Sequence, residues 1–220
     1  MNKLVVVMLA VAGLIDDVHG APSTAPGTGT ITGTITVKGR KTSAGVLVYV
    51  AGVWGTPPTP RDHAVVRQRE KQFDPPVTIV VRGTTVDFPN EDKVFHNVFS
   101  VSRPARFDLG LYKSGTMKSV EMQRAGTVDV YCNIHPEMVA KVKVLDNAYY
   151  ATTDDRGRFR IAGVPAGDVP VVAWLPTGDQ VTATVTVTAG QTVDTSLAVA
   201  AVARSETHTR KDGTPYGRYK

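Results

Sequence analysis

The chain has 220 residues, a formal net charge of +5, 42% hydrophobic residues, 20% charged residues and a single cysteine. The length suffices for one or two domains with real cores. The positive balance is spread out, with no basic stripe and no aromatic ladder, which argues against a nucleic-acid partner and favours acidic protein partners or anionic surfaces. One cysteine excludes an internal disulfide framework, so Cys132 is expected to be reactive, intermolecular or metal-bound.

The first twenty residues, MNKLVVVMLAVAGLIDDVHG, place a lysine before a short apolar run and end in polar and small residues. This is the layout of a secretory signal peptide, and the run is too short to span a bilayer. Cleavage is expected near Gly20, although Asp16 and Asp17 are unusual there; an uncleaved anchor is the alternative. Loss of one cation and two anions with this segment would take the net charge from +5 to about +6. The mature chain is then expected to be periplasmic or secreted, with no transmembrane span.

Residues 21–28, APSTAPGT, look like a flexible leader. Thereafter the chain is β-patterned: GTITGTITV (29–37) and GVLVYVAGV (45–53), then VTIVVRG, TTVDF, VFHNVFSV, GTVDVYC and MVAKVKVL, then GRFRIAGV, VPVVAWL, VTATVTVTAG and QTVDTSLAVA. Short β-branched runs separated by Gly, Pro, Asn and Asp predict an all-β protein of sandwiches or barrels, without helices of any length. Residues 204–220 lose the alternation and are expected to be a basic disordered tail or a strap on the surface.

The outer segments resemble the small prealbumin-like β-sandwiches of carboxypeptidase-regulatory-like domains. GTITGTITVKGRKTSAGVLVYVAGV looks like their opening, and the continuation, ATTDDRGRFRIAGVPAGDVPVVAWLP, arrives about a hundred residues later. Residues 29–54 and 148–203 are therefore read as one discontinuous sandwich, with residues 60–146 inserted as a second domain; two consecutive domains with an extra hairpin are the alternative. Asp155-Arg156-Gly157 and Pro165-Ala166-Gly167 are expected to form hairpin turns. Trp54 and Trp174 are expected to pack this sandwich.

In GTVDVYC the period of two puts Val128, Val130 and Cys132 on one face of a strand. His135 and Met138 follow on a short turn, and MVAKVKVL leaves as the next strand with Ala140, Val142 and Val144 on one face and Lys141 and Lys143 on the other. A thiolate, an imidazole and a thioether on one short loop would complete a trigonal copper site if a second imidazole came from elsewhere. His208 lies in the tail and His63 in a loop-like stretch, where it reads as a surface histidine. His96, delivered by the Pro89-Asn90-Glu91-Asp92 turn, is the natural second ligand. Met117 and Met122 read as core or edge residues.

FPNEDKVFHNVFS and VDVYCNIHPEMVAKVKV resemble the two ligand-bearing motifs of the blue copper proteins, or cupredoxins, with plastocyanin and amicyanin nearest in pattern. The likeness spans residues 64–146, and with the interrupted outer sandwich it also resembles chains labelled methylamine utilisation proteins. It implies a cupredoxin Greek-key β-sandwich holding one type 1 copper ion on His96, Cys132, His135 and Met138. It further implies one-electron transfer to redox partners such as a cytochrome or dehydrogenase, and no enzymatic reaction, with His135 and Pro136 as the electron portal. Asn97 matches the family asparagine that ties the ligand loops together, with Asn133 as its expected neighbour. Ile134 departs from the family proline and keeps its N–H, from which a second N–H···S bond to Cys132 and a raised reduction potential are expected. Copper oxidases and nitrite reductases need further copper centres, often on His-X-His pairs, which this sequence lacks. Copper delivery without redox cycling, and a structural or adhesive module stabilised by metal, are the remaining alternatives.

Overall fold

The computed structural model describes residues 27–53, 62–177, 180–202 and 208–216. The expected signal segment, most of the expected leader and Trp54 lie outside them. As expected, the architecture is all-β. In chain order the strands are β1 (Thr28–Lys38), β2 (Leu47–Val50), β3 (Ala64–Val65), β4 (Arg67–Arg69), β5 (Gln72–Asp74) and β6 (Val77–Val81). They continue with β7 (Thr85–Pro89), β8 (His96–Ser100), β9 (Phe107–Tyr112), β10 (Met117–Glu121), β11 (Gly126–Cys132) and β12 (Val139–Leu145). The last are β13 (Tyr150–Thr152), β14 (Arg158–Pro165), β15 (Gly167–Trp174), β16 (Gln180–Val187) and β17 (Thr192–Ala200). Among the described residues no helix is long and apolar enough to cross a membrane.

One sandwich consists of the sheets β14-β1-β17 and β13-β2-β15-β16. Its core mixes Ile31, Ile35 and Val48 from the start of the chain with Phe159, Val171 and Val199 from its last third. The alternation in TGTITGTITVK follows from this placement: every second residue from Gly29 to Val37 points inward and is buried. β1 runs antiparallel to β14 and parallel to β17. Gly33 lies where they crowd, for a Cβ there would come within 1.9 Å of the Thr195 carbonyl oxygen.

The two expected hairpins are not hairpins. β13 and β14 lie in different sheets, as do β14 and β15, so each turn carries the chain from one layer to the other. The turn residues fix a reversal, but the need to bury both layers' apolar faces decides which sheet receives the next strand.

The second sandwich packs β10-β7-β3 against β6-β12-β11-β8-β9, with the β4-β5 hairpin alongside. Its core contains Phe88, Val98, Met122, Val128, Val130, Cys132, Met138, Ala140 and Val142. Met122 is therefore a core residue, whereas Met117 is 56% exposed. On β12 the outward face is not solvated as the alternation suggests. Lys143 is only 6% exposed, because Tyr49 and Trp174 of the first sandwich cover it, with Nζ 5.2 and 4.9 Å from their ring centres. Trp174 also joins Leu47 and Leu145 in a small apolar cluster bridging the two sandwiches. Burial of the Lys143 ammonium pulls its pKa below the usual value.

Residues 208–216 lie against the second sandwich, fastened by hydrogen bonds, so a disordered tail does not describe this part of the 204–220 segment.

Candidate metal centre

β8 and β11 are antiparallel neighbours with Cys132 opposite Val98. The period of two then places His96 on the same face as Val98 and hence beside Cys132. The 133–138 loop turns His135 back over the end of the strand. Met138 donates its N–H to the His135 carbonyl at 3.1 Å, and Cys132 donates its own to the Met138 carbonyl at 3.2 Å. The loop is thus closed on itself before β12 begins.

His96 Nδ1 and His135 Nδ1 are 3.1 Å apart, and the Cys132 Sγ lies 3.8 and 3.6 Å from them. A point equidistant from these three atoms is about 2 Å from each, close to the bond length from imidazole nitrogen or thiolate to a divalent transition metal, about 2.0–2.3 Å. The residues therefore fit a metal ion: two nitrogens and one sulfur in a trigonal set, with soft-donor character suited to copper. Met138 is fully buried in the same core cluster as Cys132. His96 and Cys132 are fully buried too, while His135 and Pro136 are half-buried, so the site meets the surface at His135. Burial, and then the neighbouring His96, push the His135 imidazole below its usual pKa and keep it in the neutral, metal-binding form. Val94 and Phe95, at the entry to β8, are 40% and 53% exposed.

His96 is aimed by Asp92. Its Nε2 lies 2.7 Å from the Asp92 carboxylate, which leaves Nδ1 to face the cysteine. Asp92 also accepts the N–H of Glu70 at 2.6 Å and of Lys71 at 2.9 Å. These two residues form the β4-β5 turn and have φ of 54° and 55°. Side chains in that left-handed region cost roughly 1 kcal/mol each, and glycine or asparagine usually fills such turns. One carboxylate thus offsets a strained turn and orients a ligand. Burial would raise the Asp92 pKa, but the bonds from Lys71, His96 and Glu70 outweigh it and hold the carboxyl below its ordinary value. Asn90, 1% exposed, donates to the carbonyls of Val94 and Tyr112 and accepts the Asp92 N–H, so the turn leading to His96 is fixed.

Asn97 links the two loops at Asn133, as expected, but through its main chain and not its side chain. Its carbonyl accepts the Asn133 N–H at 3.1 Å, but its side chain turns to Asp108, 2.7 Å away. The Asn133 side chain instead accepts the N–H of Lys211. Ile134 packs against the core. His63 stands apart from the cluster, 56% exposed and 3.0 Å from the Asp87 carboxylate.

The sequence singles out Asp92 only as part of the turn before His96, and does not single out Asp108, Lys211 or Tyr216. A carboxylate four residues before His96 is a usable signal for the first. The other three are joined to the site only by the fold.

Residues 136–200 match the carboxypeptidase regulatory-like domain. That continuous match begins one residue after His135 and takes in β12, whereas the first sandwich draws β1 and β2 from the far end of the chain. Among solved structures, the chain is similar to a methionine-to-alanine mutant of amicyanin in its Cu(I) form, with 26% identity over 44% of this chain and 97% of that one, TM-score 0.36. It is also similar to a purple cupredoxin from Nitrosopumilus maritimus, with 24% identity over 37% of this chain and 98% of that one, TM-score 0.34. A copper-containing nitrite reductase from Thermus scotoductus SA-01 matches with 25% identity over 43% of this chain and 24% of that one, TM-score 0.36. No curated protein matches the sequence.

Proposed function

We propose that this protein is an exported type 1 copper protein that carries single electrons between partner proteins. The observation that carries the reading is the convergence of His96 Nδ1, His135 Nδ1 and Cys132 Sγ at separations that suit bonds to one metal ion, with Met138 buried in the same core cluster as Cys132. Copper, when bound, supplies one-electron exchange between Cu(II) and Cu(I). The chain's part is to hold its donors still: Asp92 fixes His96, the closed 133–138 loop fixes His135, and the core fixes Cys132. A donor set that cannot relax toward either oxidation state's preferred geometry keeps reorganisation small. His135 and Pro136, half-exposed, serve as the electron portal. The net positive charge favours an acidic-surfaced partner such as a cytochrome or dehydrogenase.

The discontinuous outer sandwich (29–54 with 148–203) is read as the support on which the 60–146 copper domain is mounted. The visible and electron-paramagnetic-resonance spectra after copper addition test the proposal: an intense thiolate-to-copper band is expected, with reversible reduction on an electrode. A colourless or electrochemically silent copper-loaded protein overturns the carrier reading in favour of delivery. Cys132→Ser should abolish the band and electron transfer while leaving any adhesion by the outer sandwich intact. Nitrite turnover by the isolated chain would instead establish an enzyme.

A further inference from the structure

We infer that residues 208–216 act as a strap that positions the copper loop, with Tyr216 and Lys211 as its working residues. The inference rests on the copper reading for what the strap supports; the docking itself stands on the contacts alone.

The strap grips three consecutive residues, Tyr131 to Asn133, where β11 ends and the loop begins. The Tyr216 hydroxyl donates to the Cys132 carbonyl at 2.6 Å, and the Lys211 N–H donates to Asn133 Oδ1 at 2.9 Å. The His208 ring stacks on Tyr131, with centroids 4.3 Å apart and planes 20° from parallel. Tyr216 meets His208 edge-on, with ring centroids 5.1 Å apart and its hydroxyl 3.3 Å from His208 Nδ1, so the imidazole contacts both phenol rings. A second line of contact runs through Asp108. Its carboxylate accepts Lys211 Nζ at 2.6 Å on one oxygen and Asn97 Nδ2 at 2.7 Å on the other. The strap therefore reaches the strand of His96 as well as that of Cys132.

The segment is shaped for this. Arg210 and Thr214 close a turn, with Gly213 at φ 84° and the Asp212 carboxylate accepting the Thr214 N–H at 2.9 Å. That turn presents Lys211 and Tyr216 to the loop together.

The Cys132 peptide is consequently held at both ends, its N–H by the Met138 carbonyl and its C=O by Tyr216. With both groups engaged, rotation of the backbone at Cys132 is restricted, and with it the direction in which Sγ points. Hydrogen bonds that orient metal ligands in this way are typically worth about 10- to 100-fold in metal affinity or activity. A side chain 84 positions away in sequence is thereby part of the cysteine's support.

Two variants of the protein test this: Tyr216→Phe, and a chain ending at residue 207. In the metal-free wild type, the Lys211 amide is expected to show protection from hydrogen exchange, and Tyr216→Phe to lower it. Both variants should lose roughly 10-fold in copper affinity and shift the copper spectrum, with the unfolding temperature of the metal-free protein little changed. A Lys211 amide that exchanges unprotected in the wild type overturns the docking. Unchanged affinity and spectrum after truncation overturn the positioning role. The exchange measurement needs no copper, so its failure is distinct from a failure of the copper reading.

Discussion

Asp92→Asn tests the coupling between the strained β4-β5 turn and the orientation of His96. One carboxylate oxygen receives the Glu70 N–H, and the other receives both the Lys71 N–H and His96 Nε2. An asparagine oxygen in the second position keeps the latter pair but turns an amide N–H2 toward Glu70. One donor then faces a donor, and the remaining bonds lose their charge assistance. Orphaning a donor costs about 1–3 kcal/mol, and about 1 is expected here because Glu70 is exposed. The weakened pair adds about 1 kcal/mol more, for a total near 2 kcal/mol. At this chain length that is a fall of about 4–8 °C in the unfolding temperature of the metal-free protein. Copper affinity should also drop by about 10-fold, because His96 loses the carboxylate that fixes its ring. Differential scanning calorimetry of the metal-free variant and a competitive copper titration measure the two effects. A variant that melts within a degree of wild type and binds copper equally well would refute the coupling.

Ile134→Pro removes the N–H expected to bond the Cys132 sulfur, and the reduction potential measured by voltammetry should fall; a potential that rises or stays put counts against that bond. Gly33→Ala drives a methyl into the Thr195 carbonyl, so β1 must shift away from β17 at a cost of about 3 kcal/mol. Calorimetry should show the outer sandwich destabilised, with the copper spectrum unmoved. Burial would raise the Asp108 pKa, but bonds from Lys211, Asn97 and Gly110 lower it overall. Its folded pKa is therefore below its unfolded one, so its contribution is present above the ordinary carboxylate pKa of about 4 and fades as pH falls through the folded value. Protection of the Lys211 amide should be lost over that acidic window; persistence at the lowest pH would show that the ion pair does not hold the strap.

The all-β class was legible because the period of two is a local property of the chain. It is visible in TGTITGTITVK and in GTVDVYC, where Val128, Val130 and Cys132 are all buried. The ligand types were legible for a related reason: His135 and Met138 follow Cys132 on one short loop, and their donor chemistry belongs to the side chains. Local pattern could not say where strands go next. The turns at 155–157 and 165–167 announce reversals, yet the chain crosses between layers at both. Nor could it say what covers a polar face. Lys143 alternates outward from β12, and only the packing of Tyr49 and Trp174 from the other sandwich buries it.

By itself the sequence determined a β-patterned chain carrying a thiolate, imidazoles and a thioether at close spacing. The tertiary structure decided that His96 stands 3.8 Å from Cys132 across two strands and that Asp92 aims it. It also decided that a charged terminal segment closes over the Cys132 peptide. Those facts depend on contacts between residues far apart in the chain, and such contacts form only when two sheets bury their apolar faces against each other.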